Sequence, residues 1–449
     1  MRKGTILVVL FLGGGVWFSP TNGIVAREGD FEWGSNEISD GGEQESEIEA
    51  REGGFGIARE GVFEGGVKSF VGSGDEISDG GMNESGFKSV FEGDIKKVTG
   101  NFGSGDYSGI AYLGGTRFAV VDDKRNGGGI LFADIDIDMS GKVRGVSMMV
   151  PEGTLAQEVV GMDNEGVAYC PDYGAGSGSG YSSWTGGGSG YDSDLSIGMM
   201  NGRGMLFVSA ERDQSIRGYD LDGWATGVAM SIPADMDRGK IRGNRGFEAL
   251  TFNAFTGLFW TTTEDVLVED ADSPGLLRLQ SFGTDLKPAG RFLYKMDAPI
   301  VNAEEAAGAE AEAYLFGVPA MAALDDGRII VLEREVYVPK GSLWEKARKS
   351  FTKTNLYVVN PMRDLKGVGL SRGNISDVDL TGEGVTGVLR KSLVCSFNTK
   401  PLAGKFANYE GMCLGPLLPD GYRSLVLISD SQHGAGGLVK EFVKVIVFK

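Results

Sequence analysis

A phrase made of two apolar runs recurs five times in this chain. In its clearest form Asn408-Tyr-Glu-Gly411 opens a short apolar run, a turn follows, and Ser424-Leu-Val-Leu-Ile-Ser-Asp430 makes a second run that ends on a carboxylate. The same design joins Tyr107–Tyr112 to Arg117–Asp123, Asp163–Tyr169 to Met205–Glu211, and Asn244–Leu250 to Leu258–Glu264. A weaker copy joins Pro319–Leu324 to Arg328–Arg334. Repetition of a strand pair restricts the fold to a propeller or a solenoid.

The neighbouring runs extend each pair to four strands. The first unit reads Gly109–Tyr112, Phe118–Val121, Ile130–Asp136 and Val143–Val150, separated by Gly-rich or charged turns. The second reads Gly166–Tyr169, Leu206–Ser209, Ile216–Asp220 and Gly227–Ile232, and the third Ala249–Phe252, Leu258–Thr261, Leu276–Leu279 and Gly290–Tyr294. Four antiparallel strands per repeat is the blade of a β-propeller. The remaining length leaves room for a sixth blade, with Thr354–Val359 and Val388–Ser396 as strands, so an all-β, six-bladed propeller is expected over residues 96–449. Leu438–Phe448 would supply outer strands, and a strand near Ile95–Val98 would help close the ring. Ser342–Ser350 suits a short helix, and Val301–Ala313, alternating Ala with Glu, is also helix-friendly. Tyr173–Gly190, rich in Gly and Ser, has the composition of a long surface loop.

Gly accounts for 73 of 449 residues, which suits a fold with many tight turns. A net charge of −19 argues against a nucleic-acid partner, whose phosphates need a basic surface. Cys170, Cys395 and Cys413 are too few and too scattered for a disulfide framework or a zinc site. The chain has a single histidine, His433, so Ser-His-Asp catalysis or His-based zinc chemistry has almost nothing to work with. No phosphate-binding loop occurs, nor a Gly-x-Gly-x-x-Gly followed by a helix-forming run. Asp134, Asp136 and Asp138 alternate as in a strand with one wet face and lack the glycine and final acid of a calcium loop.

Residues 1–26 have the form of an export signal: Arg2 and Lys3, an apolar body of Thr5–Leu12 with Val16–Phe18, and the small-residue exit Ile24-Val-Ala26. An uncleaved anchor is the alternative; otherwise no membrane span is expected. Residues 27–95 form an acidic Gly/Glu/Ser-rich segment in which Asp-Glu-Ile-Ser-Asp-Gly-Gly recurs in near-identical form, and apolar residues are too sparse to offset chain entropy. A disordered spacer is expected there, and export to a periplasm, an organelle lumen or the extracellular space.

In a propeller the inner strands line a central channel. Equivalent acids from successive blades therefore converge: Glu165, Glu248 and Glu410 from first strands, and Asp122 or Asp123, Glu211, Glu264, Glu333 and Asp430 from second strands. Converging carboxylates repel in a low-dielectric channel and need a cation, cationic partners or protonation. Glu165, Glu211, Glu264, Glu333 and Asp430 are the candidate metal ligands, with calcium the cation best suited to an all-oxygen set. Glu248, Glu410 and His433 are the candidate catalytic groups. Arg212, Arg245 and Arg334 could grip an anionic substrate or brace the acids, and each acid could equally cap a turn.

The order and combination of these pieces resemble the phytase-like family described as having esterase-like activity. The resemblance is carried by Ser108-Gly-Ile-Ala-Tyr112 with Val120–Asp123, Asn164-Glu-Gly-Val167 with Ala210-Glu-Arg212, Asn244–Glu248, Asp325–Arg334, and Asn408–Gly411 with Ser429-Asp-Ser431. It implies an exported β-propeller acting on small ester or phosphoester substrates. The chain departs from the pattern at Phe247-Glu-Ala249, where Glu-Gly is expected, and at Ser108-Gly109. A metal-dependent ester or phosphoester hydrolase is the leading expectation; a calcium lactonase and a non-catalytic binding propeller are the alternatives.

Overall fold

The computed structural model describes residues 8–12, 15–19, 85–98, 105–123, 129–151, 163–173, 204–301, 311–362, 388–431 and 438–449. They fall into two units, Met1–Val67 and Lys68–Lys449. In the first, strands β1 (Val8–Leu12) and β2 (Gly15–Ser19) pair antiparallel, inside the span read as an export signal. The acidic stretch 27–84 and most of the loop 173–190 lie outside the described residues.

The second unit contains five four-stranded antiparallel sheets. The first sheet is β4 (Tyr107–Gly114), β5 (Arg117–Asp122), β6 (Gly129–Ile137) and β7 (Val143–Met149). The second is β8 (Asn164–Cys170), β9 (Met205–Ala210), β10 (Ser215–Tyr219) and β11 (Ala225–Ala229). The third is β12 (Phe247–Asn253), β13 (Leu258–Thr263), β14 (Leu276–Phe282) and β15 (Pro288–Lys295). The fourth is β16 (Ala311–Ala323), β17 (Ile329–Pro339), β18 (Phe351–Val359) and β19 (Lys391–Thr399). The fifth is β20 (Asn408–Leu417), β21 (Arg423–Asp430), β22 (Phe442–Phe448) and, from the other end of the unit, β3 (Val90–Lys97).

The described blades therefore number five, one fewer than expected. The runs assigned to a sixth blade are β18 and β19, hydrogen-bonded in register onto β17 as the outer half of the fourth. The spare length lies in insertions between strands. Closure follows the expected route, because β3 pairs with β22 from Lys97 opposite Phe442 to Val90 opposite Phe448. That strand begins at Val90, so the fifth blade draws on residues before position 96. Ala311–Ala313, part of the helix-friendly stretch, already belongs to β16. The expected short helix forms as α1 (Leu343–Lys349), where Ser342 and Glu345 make a reciprocal capping box.

Blades stack through period-two alternation. Along β5, Phe118 and Val120 pack into the cluster shared with the fifth blade, whereas Ala119 and Val121 pack into the cluster shared with the second. Equivalent clusters fill the gaps between the second and third, third and fourth, and fourth and fifth blades. Five apolar interfaces join five blades into a ring. The three cysteines are unpaired, and burial pushes the Cys170 thiol up to about 12, which suits a small apolar filler rather than a reactive group.

Candidate functional site

Each first strand breaks register near its start. Register shifts fall between Tyr107 and Gly109, Asn164 and Val167, Phe247 and Ala249, Gly317 and Ala320, and Tyr409 and Gly411. The residues inside these bulges are Ser108, Glu165 with Gly166, Glu248, Val318 with Pro319, and Glu410. A bulge inserts an extra residue and re-aims a side chain. Three of the five bulges thus carry the repeated glutamates.

The glycines beside these bulges let first strands crowd the axis. A Cβ on Gly109 would strike the backbone of Glu165 and Gly166, one on Gly166 the backbone of Glu248, and one on Gly411 the backbone of Gly109 at 3.1 Å. Glu-Gly is therefore a packing unit. Ala249 departs from it because the next contact is made from the opposite partner, Gly317, which packs directly on Glu264.

Glu165, Glu211, Glu248, Glu264 and Glu410 are all buried. Burial pushes the Glu165 carboxyl well above its ordinary range, and the charges of Asp123, Glu211 and Glu410 add to the rise. Glu248 is raised in the same way, by burial and then by Glu264, Glu165 and Glu211. Glu211 is pushed up to about 7, chiefly by burial, although its Oε1 accepts the Gly246 N–H; its Oε2 has no hydrogen-bond partner among the described residues. These mutual effects show that the acids of the first three blades, with Glu410 from the fifth, share one electrostatic environment.

The fourth blade supplies the opposite charge. Its bulge carries Val318 rather than an acid, and β17 turns Glu333 and Glu335 to one face and Arg334 to the other. Arg334 lies 2.8 Å from Glu264 Oε1 through Nη1 and 2.9 Å from Glu410 Oε1 through Nη2. Burial works against its charge, but Glu264, Glu410 and Glu248 outweigh that and hold the guanidinium more firmly protonated than usual. Asn408 Nδ2 donates to the same Glu410 oxygen at 2.7 Å. Half-buried Arg245 reaches Glu264 Oε2 at 3.3 Å and the Phe316 carbonyl at 3.0 Å.

A second grouping stands at the junction of the first two blades. Asp123, Asp163 and Glu165 offer carboxylate oxygens that all lie within 4.8 Å of one another. Two oxygens on opposite sides of a calcium ion bound at about 2.4 Å are about 4.8 Å apart, so the trio fits one such ion. Asp163 adopts φ 55°, a left-handed conformation that Asp tolerates, and its carbonyl accepts the Glu211 N–H at 2.8 Å.

The expected site residues divide accordingly. Glu165, Glu211, Glu248, Glu264 and Glu410 come together with Arg334, and Arg245 braces the edge. Asp430 is buried at the end of β21, opposite Asn408. Glu333 is turned elsewhere: it accepts from Tyr294 Oη at 2.6 Å and from the Asp297 N–H at 3.0 Å, and pairs with Lys391 at 2.6 Å. Arg212 is exposed in the turn after β9, and His433 lies outside the described residues. Asp163 was not singled out from the sequence. Its signal is the carboxylate directly before Asn164-Glu-Gly166, at the mouth of a first strand.

Comparison with solved structures returns distant likenesses. A streptogramin B lyase structure aligns with TM-score 0.30 and 9% identity over 79% of this chain and 98% of its own. The Malassezia sympodialis allergen Mala s 1 aligns with TM-score 0.31 and 10% identity over 76% and 78%. A Bacteroides vulgatus protein of the DUF4221 family gives TM-score 0.33 and 9% identity over 79% and 98%. These values carry no functional argument. No curated protein matches the chain. The sequence pattern of the phytase-like family, described as "Esterase-like activity of phytase", matches residues 103–433, from the first blade into the fifth. The chain belongs to that phytase-like family.

Proposed function

We propose that this propeller is an exported, metal-dependent hydrolase of small esters or phosphoesters, working at the carboxylate-lined mouth of its channel. The observation that carries the reading is the trio Asp123, Asp163 and Glu165, an all-oxygen donor set beside Glu211 and Glu248. Calcium is the preferred cation; magnesium and manganese take the same donor types. A cation held there would polarise the ester oxygen and acidify a bound water. Glu211, with its carboxyl near neutrality and one oxygen unpartnered, accepts the proton of the attacking water. Glu248, kept protonated by burial and its acidic neighbours, donates to the leaving oxygen. Arg334 holds Glu264 and Glu410 in place.

The test is a panel of carboxylic esters, phosphomonoesters and lactones, run on chelated protein with calcium restored. Turnover on at least one class is expected, falling at least about a hundredfold in Glu211→Gln. Turnover confined to lactones would make the protein a lactonase. The ion pairs of Arg334 with Glu264 and Glu410 favour one rival, a binding propeller in which calcium only holds the channel. No turnover on any class, with the fold intact, would establish that rival.

A further inference from the structure

The fourth blade is longer than the others. The pair Gly317–Arg334 occupies the level at which Tyr107 opposes Asp122 in the first blade, yet β16 and β17 continue through Phe316–Glu335 and Tyr314–Tyr337 to Ala311–Pro339. Five further residues of β17 raise this ribbon about 16 Å beyond the bulges, at the end of the blades that carries them. Val336 and Val338 anchor it against Phe406, Leu438 and Val439. At its tip are α1 and, packed against that helix, the short turn Pro401–Ala403.

The crest so formed combines exposed apolar and basic side chains. Leu343, Trp344 and Leu402 are 58%, 59% and 61% exposed, although large apolar side chains on a soluble surface are normally scattered singly. Lys340, Arg348, Lys349, Lys400 and Lys405 surround them, all exposed. Trp344 and Arg348 stand one helical turn apart on the same outward face. Among the described residues, the acids of the crest are engaged, Glu345 in the capping box and Glu312 with Lys346. Counted over the described residues the crest is net basic and aromatic-bearing on a chain of net charge −19, and it acts as a local field, since charges beyond about 8 Å are screened at physiological salt.

We propose that this crest docks the propeller on an anionic lipid surface. Lys and Arg contact the acidic headgroups, while Trp344, Leu343 and Leu402 enter the interfacial layer. No helix among the described residues is long and apolar enough to cross a membrane, so the contact is peripheral. Because the crest rises from the end of the blades that carries the bulges, docking turns that end toward the bilayer.

The experiment is flotation of the full chain with vesicles of phosphatidylcholine alone, or with about one third phosphatidylserine. Binding is expected only to the anionic vesicles, and it should disappear in 0.5 M salt, an ionic strength that roughly halves the screening length. Arg348→Gln with Lys349→Gln should weaken it about 25-fold, near fivefold per charge. Trp344→Ala should weaken it with the charges intact. These variants lie outside the carboxylate site, so hydrolysis of a soluble ester should be unchanged by them. No binding, equal binding to both vesicle types, or binding unmoved by the Arg348 and Lys349 changes would overturn the proposal. Retention on immobilised polyglutamate without vesicle binding would also overturn it, in favour of an acidic protein partner.

Discussion

Arg334 is the residue on which the electrostatics of the channel turn. It is a fully buried guanidinium between Glu264 and Glu410, and burial makes that pairing costly unless the charges are matched. Replacing it with Met removes the cation and strands two buried carboxylates. A loss of about 3–5 kcal/mol is expected in urea unfolding at neutral pH, and adding Glu264→Gln should recover part of it. Glu211 gives a second prediction. Its carboxyl rises from 4.5 to about 7 on folding, so between those values the folded protein holds more protons than the unfolded chain. Stability of the chelated protein must then fall as pH rises through that window, by about 3 kcal/mol for this group alone. Urea midpoints from pH 4.5 to 8 check the sign, and Glu211→Gln should flatten the slope.

Among elements, the bulged first strand does most to make the site. It was legible from sequence because Glu-Gly recurs in phase with the apolar runs. What the sequence did not show was why glycine follows the acid: at Gly166 a Cβ would collide with the backbone of the next blade at Glu248. Gly166→Ala should therefore cost about 1–3 kcal/mol and disturb Glu165, seen as weakened cation binding in the variant that still folds. Glu333 illustrates the opposite case. Its place in the apolar run matched the other second-strand acids, but alternation along β17 directs it toward Tyr294 and Lys391 and turns Arg334 inward. Period two with a bulge changes which neighbour faces the axis, and bulges are invisible in a run of letters. Asp163 escaped notice for a related reason, because it precedes the strand and acts through a left-handed turn.

At the scale of the whole molecule, the propeller was legible and its blade number was not. Five repeated pairs correspond to five blades; surplus length in insertions suggested a sixth. Closure depends on β3, which brings the start of the domain onto its last strand through pairs such as Lys97–Phe442 and through Glu92 against Lys444. A chain beginning at residue 85 should melt cooperatively, whereas one beginning at 99 leaves β22 an open edge and should melt lower or aggregate. Both outcomes are read by calorimetry and light scattering.

The most direct test of the account is the melting temperature of the full chain after chelation, with calcium, magnesium or manganese restored, for the wild type and Glu165→Gln. A bound ion stabilises the fold by mass action. A calcium-selective rise in the wild type that is lost in Glu165→Gln is the predicted result. No rise with any cation, or the same rise in both proteins, would contradict a cation site at Asp123, Asp163 and Glu165.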